Sequence, residues 1–549
     1  MKKGVLTSSL ALTLTLAITS CSGGSGGGQA AAGDEDRLAE LAVTTPAAVG
    51  ELESATWNLP FGEPASLDPI LAFNYPENTV VANICEGLMM IQPDYSVAPN
   101  LAESFETQDG QTYVYQLRQG VTFWDGSPMT AQDVVYSLNR HVDPEEGSYW
   151  SSDAVSGNIA SIEATAETEV TVTLKTADWT FNSYMATPMG VVVSEEHRKA
   201  TGEAYGTPQG GVMCTGPFSV ADWNSGQSIT LAKNEAYWNT DRIPKVAKLE
   251  IQFIVDPAAI SNALVSGAID GSYDVPLSAV SQLEQAENGQ LVLGKSLQML
   301  AIIATGDGPL GDPAVRRALW TATDQDALSA TVFEGTARPA VSLVPDGGWS
   351  YANDIFSAAR AELPGAEADV AKAKEILAEA KADLSETITI VYPSERSYYA
   401  DMISELARAG KEIGLDVQPQ GVPSAQFGAF FSDAEARAGH GAFVTTNYMD
   451  VPDPLVFLRT IVQDGGSQNF SGYSNPEVEA LLDKAQTTAS ETERAELTAE
   501  LEALAMQDMP WLPIVDPAVR LFISDRVTGV PASFAYLYYP WAADLGAAE

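Results

Sequence analysis

Hydrophobic and polar positions alternate along much of the first half of the chain. In residues 112–126, TYVYQLRQGVTFWDG, the spacing of Tyr113, Tyr115 and Leu117 predicts a half-buried strand. A second short strand and an Asp125-Gly126 turn follow it. Residues 170–176, VTVTLKT, repeat the alternation, and 216–231, GPFSVADWNSGQSITL, predict a hairpin around Asn224-Ser225-Gly226. In residues 248–267, Leu249, Ile251, Phe253 and Val255 alternate. Asp256 can then cap a helix with Pro257 in its first position and Gly267 as its stop.

A helical period takes over in TAQDVVYSLNR, residues 130–140. Thr130 stands three before Asp133, a capping-box variant, and Val134, Val135 and Leu138 share one face. Asp312-Pro313 repeats the Asp-Pro start for another helix. TITIVYP (387–393), a helix over 397–414 and LDVQPQ (415–420) form a strand–helix–strand series long enough for a parallel crossover. Two amphipathic helices follow, one from Asn475-Pro476 and one from Ser490 with Glu493 three residues on. No internal repeat is visible. Alternating strands and helices, with a hairpin-rich insertion in the first half, predict α/β lobes rather than a barrel or a bundle.

The N-terminus follows neither period. Lys2 and Lys3 precede an apolar run over residues 5–18, too short for a stable membrane span. Ile18-Thr19-Ser20-Cys21 then resembles the lipobox of bacterial lipoproteins, where cleavage leaves a diacylated cysteine at the new N-terminus. An ordinary secretory signal with an incidental cysteine is the other reading. The Gly/Ser run over 22–28 buries nothing and suits a leash. The expectation is a signal peptide over 1–20 and a flexible linker over 21–54, with order beginning near Thr56.

Composition narrows the function classes. The 549 residues are 45% hydrophobic, enough for two or three cored domains. A net charge of −44 argues against nucleic acid and against direct adhesion to anionic lipid headgroups. Beyond Cys21, only Cys85 and Cys214 remain, either paired in an oxidising compartment or two free thiols. The scattered His141, His197 and His440 give no zinc or catalytic-metal spacing. Gly306 to Gly311 matches GxGxxG, but Pro309 interrupts it and the helix starts only at Asp312-Pro313. Two aspartates would face a phosphate there, so the stretch reads as a linking loop. No GxSxG stands outside the leader, and 73 acidic residues leave a glycosidase-type carboxylate pair open but unplaced.

Several stretches together resemble the family 5 extracellular solute-binding proteins, the dipeptide- and oligopeptide-binding components of bacterial ABC importers. They include SLDPILAFNYPENTVV (66–81), CTGPFSVADWNSGQSITLAKNEAYW (214–238), DPAVRRALWTATDQDAL (312–328), NYMDVPDPLVFL (447–458) and NFSGYSNPEVEALLDKA (469–485). The resemblance runs over about residues 55–530 in the family's own order. It implies a two-lobed periplasmic-binding-protein-like fold (type II) with an extra subdomain inserted in lobe I. Lobe I then covers 55–302 with the insertion at about 96–215, lobe II covers 303–511, and residues 512–549 return to lobe I.

The resemblance also implies a ligand site. Asp450 would take a peptide's α-ammonium, and Arg396, with Tyr398 beside it, the far carboxylate. Tyr448 and Asn74 complete the implied set. A zwitterion needs one fixed anion and one fixed cation, and arginine can grip a carboxylate bidentately. Three positions depart from the family pattern: Ala304 where asparagine is common, Asn447-Tyr448 where a tryptophan often stands, and SELARAG where a glutamine is usual. The implied function is a non-catalytic, monomeric receptor without cofactor or metal. It would be lipid-anchored through Cys21 outside the cytoplasmic membrane and deliver short peptides to an ABC permease. A receptor for oligosaccharide or another non-peptide solute is the alternative within the fold, and an exported hydrolase the alternative outside it.

Overall fold

The computed structural model describes residues 34–152 and 155–549; the leader, Cys21 and the Gly/Ser leash lie outside them. Two mixed sheets organise the chain. The first has seven strands in the order Gly289–Gly294, Val519–Ser524, Gly271–Ser272, Leu52–Asn58, Val246–Gln252, Ser228–Lys233, Phe218–Asn224. Leu52–Asn58 runs parallel to both of its neighbours, and the other pairings are antiparallel. The second has six strands in the order Ala337–Pro339, Trp511–Pro517, Gln298–Ala304, Ala442–Tyr448, Thr387–Pro393, Asp416–Val422. These sheets are the centres of two lobes. A separate four-stranded antiparallel sheet, residues 102–174, lies within the first lobe's stretch of chain.

The local signals form as their chemistry requires. Asp256 and Asp312 each accept from a backbone N–H of the turn they open, at 2.8 Å, with proline next in line. Thr130 and Asp133 cap each other's backbone reciprocally. The hairpin turns at Asn224–Gln227 with Gly226 at φ 76°, and Ser397–Ile413 joins two parallel strands. In the GxGxxG stretch, the Asp312 carboxylate occupies the helix start where a phosphate would sit, which fits a linking loop. Two strands fall short: the alternation through Phe253 and Val255 lies beyond the end of Val246–Gln252, and the short strand after Gly120 is reduced to a Thr122–Pro128 bridge.

Three boundaries differ from expectation. The chain crosses between lobes first at residues 295–297 rather than 302, and returns at Ala518 rather than 511/512. Both crossing strands of the second lobe are buried at every residue, so no alternation marks which sheet they join. The expected linker is part of the body from Ala42. Its backbone N–H groups at Ala42, Thr45 and Val49 donate to Leu293, Val530 and Ala547, using carbonyls that strand edges leave free. Cys85 and Cys214 are placed within bonding distance, with Cα atoms 4.9 Å apart across 129 residues of sequence, the geometry the paired reading requires.

Candidate functional site

The strand Ala442–Tyr448 delivers the site. Its end places Tyr448 and, two residues on, Asp450 before the helix Pro454–Val462 that Asp453 caps. The Tyr538 hydroxyl, from the C-terminal return to the first lobe, donates to Asp450 Oδ1 at 2.7 Å. Burial pushes the Asp450 carboxyl up to about 6 although that hydrogen bond pulls the other way. Burial and then the Asp450 charge raise the phenols of Tyr149, Tyr448 and Tyr538 above their ordinary value. Among the described residues Asp450 has no ion-pair partner. Its setting is an anion ringed by aromatic side chains.

Arg396 stands at the start of Ser397–Ile413, on the adjoining strand–helix connection of the same lobe. Its Nη1 donates to the Tyr399 hydroxyl at 3.4 Å, and that oxygen accepts from the Thr446 backbone N–H at 3.0 Å. Arg396 keeps an open face, yet protein surrounds its guanidinium. That crowding disfavours its charge, but Tyr399, Tyr398 and first-lobe Tyr75 outweigh it and raise the pKa. Arg396 likewise has no acidic partner among the described residues. The two unpaired charges therefore flank the strand end, with Tyr75 and Tyr448 in edge contact between the lobes at 5.1 Å.

Tyr398 stacks at a tilt on Tyr399, ring centroids 4.4 Å apart, and lies edge-on to Phe333. Tyr448 donates across the cleft to the Phe73 carbonyl at 2.6 Å. Asn74 is exposed, and its Oδ1 caps the helix Tyr75–Ile84 by accepting from the Tyr75 N–H at 2.9 Å. That leaves its amide nitrogen as the free polar group. Tyr75, Tyr538 and the stacked, half-exposed pair Phe73–Tyr149 join the site without having been read from the sequence. For Tyr538 the tyrosine-rich stretch 536–539 was the available signal, and Phe73 and Tyr75 stand in the quoted stretch 66–81.

A cavity of about 30 Å³ lies on the first-lobe side of Tyr538, lined by Asn78, Glu86, Met89 and Thr187 among others. It has room for about one or two waters. Among the described residues, no group of three or more His, Cys, Asp or Glu could hold a metal ion. What the cleft can do chemically is hold a cation at one end and an anion at the other.

A family model, bacterial extracellular solute-binding proteins, family 5 Middle, matches residues 96–469. The chain is similar to the dipeptide-binding protein DppE of Bacillus subtilis (strain 168), 26% identical over 473 residues covering 82% of this chain and 84% of that protein. The fold is similar to the ABC transporter substrate binding protein CtaP of Listeria monocytogenes, with a TM-score of 0.78 and 20% identity over 91% of this chain and 100% of that one. It is also similar to the periplasmic binding protein DppA of Helicobacter pylori in complex with the peptide STSA. That match has a TM-score of 0.76 and 22% identity over 91% of this chain and 99% of that one.

Proposed function

Because the chain belongs to the family 5 bacterial extracellular solute-binding proteins, we propose that it is a lipid-anchored receptor that captures short peptides and hands them to an ABC permease. One observation carries the peptide reading: Asp450 and Arg396 are opposite charges around one strand end, and among the described residues neither has an ion-pair partner. Closure strips water from both groups, and a charge left unpaired in a closed interface costs on the order of 2–5 kcal/mol. A zwitterionic ligand supplies both missing partners when the lobes close. Tyr75, Tyr398 and Tyr448 would pack along the peptide between its ends, and no catalytic step is assigned to any residue. A neutral oligosaccharide would use the tyrosine faces but leave both charges unmatched.

The test has two arms. Mass spectrometry of small molecules released from the freshly purified protein should find peptides bearing a free amino terminus. Calorimetry of refolded, ligand-free protein should then show binding of such peptides without turnover; consumption of the ligand would point to a hydrolase. For the anchor, Cys21→Ala should free the protein from the membrane while leaving peptide affinity unchanged. Retention of that variant through a high-salt wash would count against lipidation as its hold on the membrane.

A further inference from the structure

An ion pair that peptide binding does not use joins the two lobes. Asp178 follows the strand Glu169–Leu174 of the first lobe, and Arg459 lies on the second-lobe helix Pro454–Val462. Arg459 Nη1 donates to Asp178 Oδ2 at 2.8 Å, and the two side chains are only 2% and 1% exposed. The carboxylate is divided between the lobes. Its Oδ1 accepts from the backbone N–H and the hydroxyl of Thr180, at 2.9 and 2.6 Å, both in the first lobe. Its Oδ2 accepts from the second lobe, from Arg459 and from Gln486 Nε2 at 3.1 Å.

The surroundings tie Asp178 into the first lobe and add further bonds across the lobes. The Asp178 backbone is tied to the four-stranded sheet through Gly110 and through the Tyr113 hydroxyl, which donates to the Asp178 carbonyl at 2.6 Å. Trp179 N–H donates to the Gln486 carbonyl at 3.0 Å, and Arg459 Nη2 donates to the first-lobe Tyr184 hydroxyl at 2.8 Å. Thr180 holds Oδ1 from within the first lobe, leaving Oδ2 to face the second. Docking then replaces water on Oδ2 with two fixed donors, one of them charged. We propose that Asp178 is an interlobe latch, receiving Arg459 and Gln486 and holding the lobes together before ligand arrives. The four-stranded sheet thereby acts as a closing arm for the cleft. It engages near Asp450, which precedes the helix Pro454–Val462 that carries Arg459.

The pair has a signature that general destabilisation lacks. Asp178→Asn strands a cation in the docked state, and Arg459→Met strands an anion. The double variant strands neither, and matched removal of a buried pair is far less costly than removal of one member. Small-angle X-ray scattering of refolded, ligand-free protein should show a larger radius of gyration in each single variant. The open-to-closed ratio should rise by about tenfold or more, and the double variant, which strands no charge but lacks the latch, should stay more open than the native protein yet no more open than the singles. Circular dichroism confirms that each variant is folded. Should a single variant fail to fold, Gln486→Leu, which removes one donor and strands no charge, should give a smaller shift in the same direction. Native scattering from the folded single variants, or from the double variant, would overturn the latch. Since no ligand is present, failure of the peptide reading would leave this result intact.

Discussion

The hydroxyl of Tyr448 donates to the backbone carbonyl of Phe73 at 2.6 Å, fastening the last residue of a second-lobe strand to the first lobe. The contact stands beside an edge-on contact of Tyr448 with Tyr75 and a tilted one with Phe534, so one side chain touches the first lobe at three places. Tyr448→Phe keeps the ring contacts and deletes the hydrogen bond. A hydrogen bond of this kind contributes about 0.5–1.5 kcal/mol net, so trialanine affinity should fall by about two- to twelvefold. Calorimetric titration checks this, and unchanged affinity would mean that the hydroxyl does not contribute to the bound, closed state.

Protonation gives a second handle on the site. Burial disfavours the Asp450 charge and pushes its carboxyl up to about 6 in the folded protein. An unfolded aspartate titrates near about 3.9. The folded state therefore binds this proton more tightly, and the group's stabilising contribution is present below about pH 4, is lost as pH rises, and is gone above about 6. Its ceiling is about 3 kcal/mol, reduced by the partial exposure of the side chain. Ligand binding runs the other way, because an ammonium needs the ionised form. Trialanine should bind about tenfold more weakly at pH 5 than at pH 7.5. The phenols around Asp450 are pushed up, away from this window, and Asp450→Asn should flatten the profile. A native profile that is itself flat over this range would remove Asp450 from the ammonium site.

The caps and the parallel crossover were legible because their signals are local. Asp256, Asp312, Thr130 and Ser490 satisfy backbone donors within a few residues of themselves. Sheet membership was not legible. Gln298–Ala304 and Trp511–Pro517 are buried on both faces, so their sequences carry no period that distinguishes one lobe from the other. The site was half legible. Asp450 and Arg396 stood out through family resemblance, whereas Tyr75 and Tyr538 reach the cleft from elements far apart in sequence. Asn74 drew notice in a stretch whose local logic is a helix cap. Asp178 and Arg459 are separated by 281 residues, and nothing near either announces its partner.

The disulfide makes a sharper thermodynamic claim. Cys85 ends the helix Tyr75–Ile84 that carries Tyr75, and its bond to Cys214 closes a loop of 129 residues. Replacing both cysteines with serine should cost about 2–5 kcal/mol of unfolding free energy. The expected readout is a lower denaturation midpoint in urea, reproduced in the native protein by reductant. The unreduced, denatured protein should show no reactive thiol from this pair. Two titratable thiols at these positions would refute the bond.

The strongest test falls on Asp450 itself. Its carboxylate accepts from Tyr538, and among the described residues it has no ion-pair partner. Lobe closure around a peptide strips water from the ammonium, which then needs an anion already in place. Removing that partner typically costs about 2–5 kcal/mol, so Asp450→Ala should weaken binding by about 30-fold to several thousandfold. Asp450→Asn keeps the shape and loses the charge, so it should fall short by nearly as much. Trialanine and its N-acetyl derivative differ only in the positive end that Asp450 is expected to read. The native protein should bind the free form far more tightly, and Asp450→Ala should discriminate less between the two. Calorimetric titration of both proteins with this matched pair decides the matter. Equal native affinity for the two peptides would separate the ammonium from Asp450 and move recognition onto the tyrosine faces, as an uncharged solute such as an oligosaccharide would require.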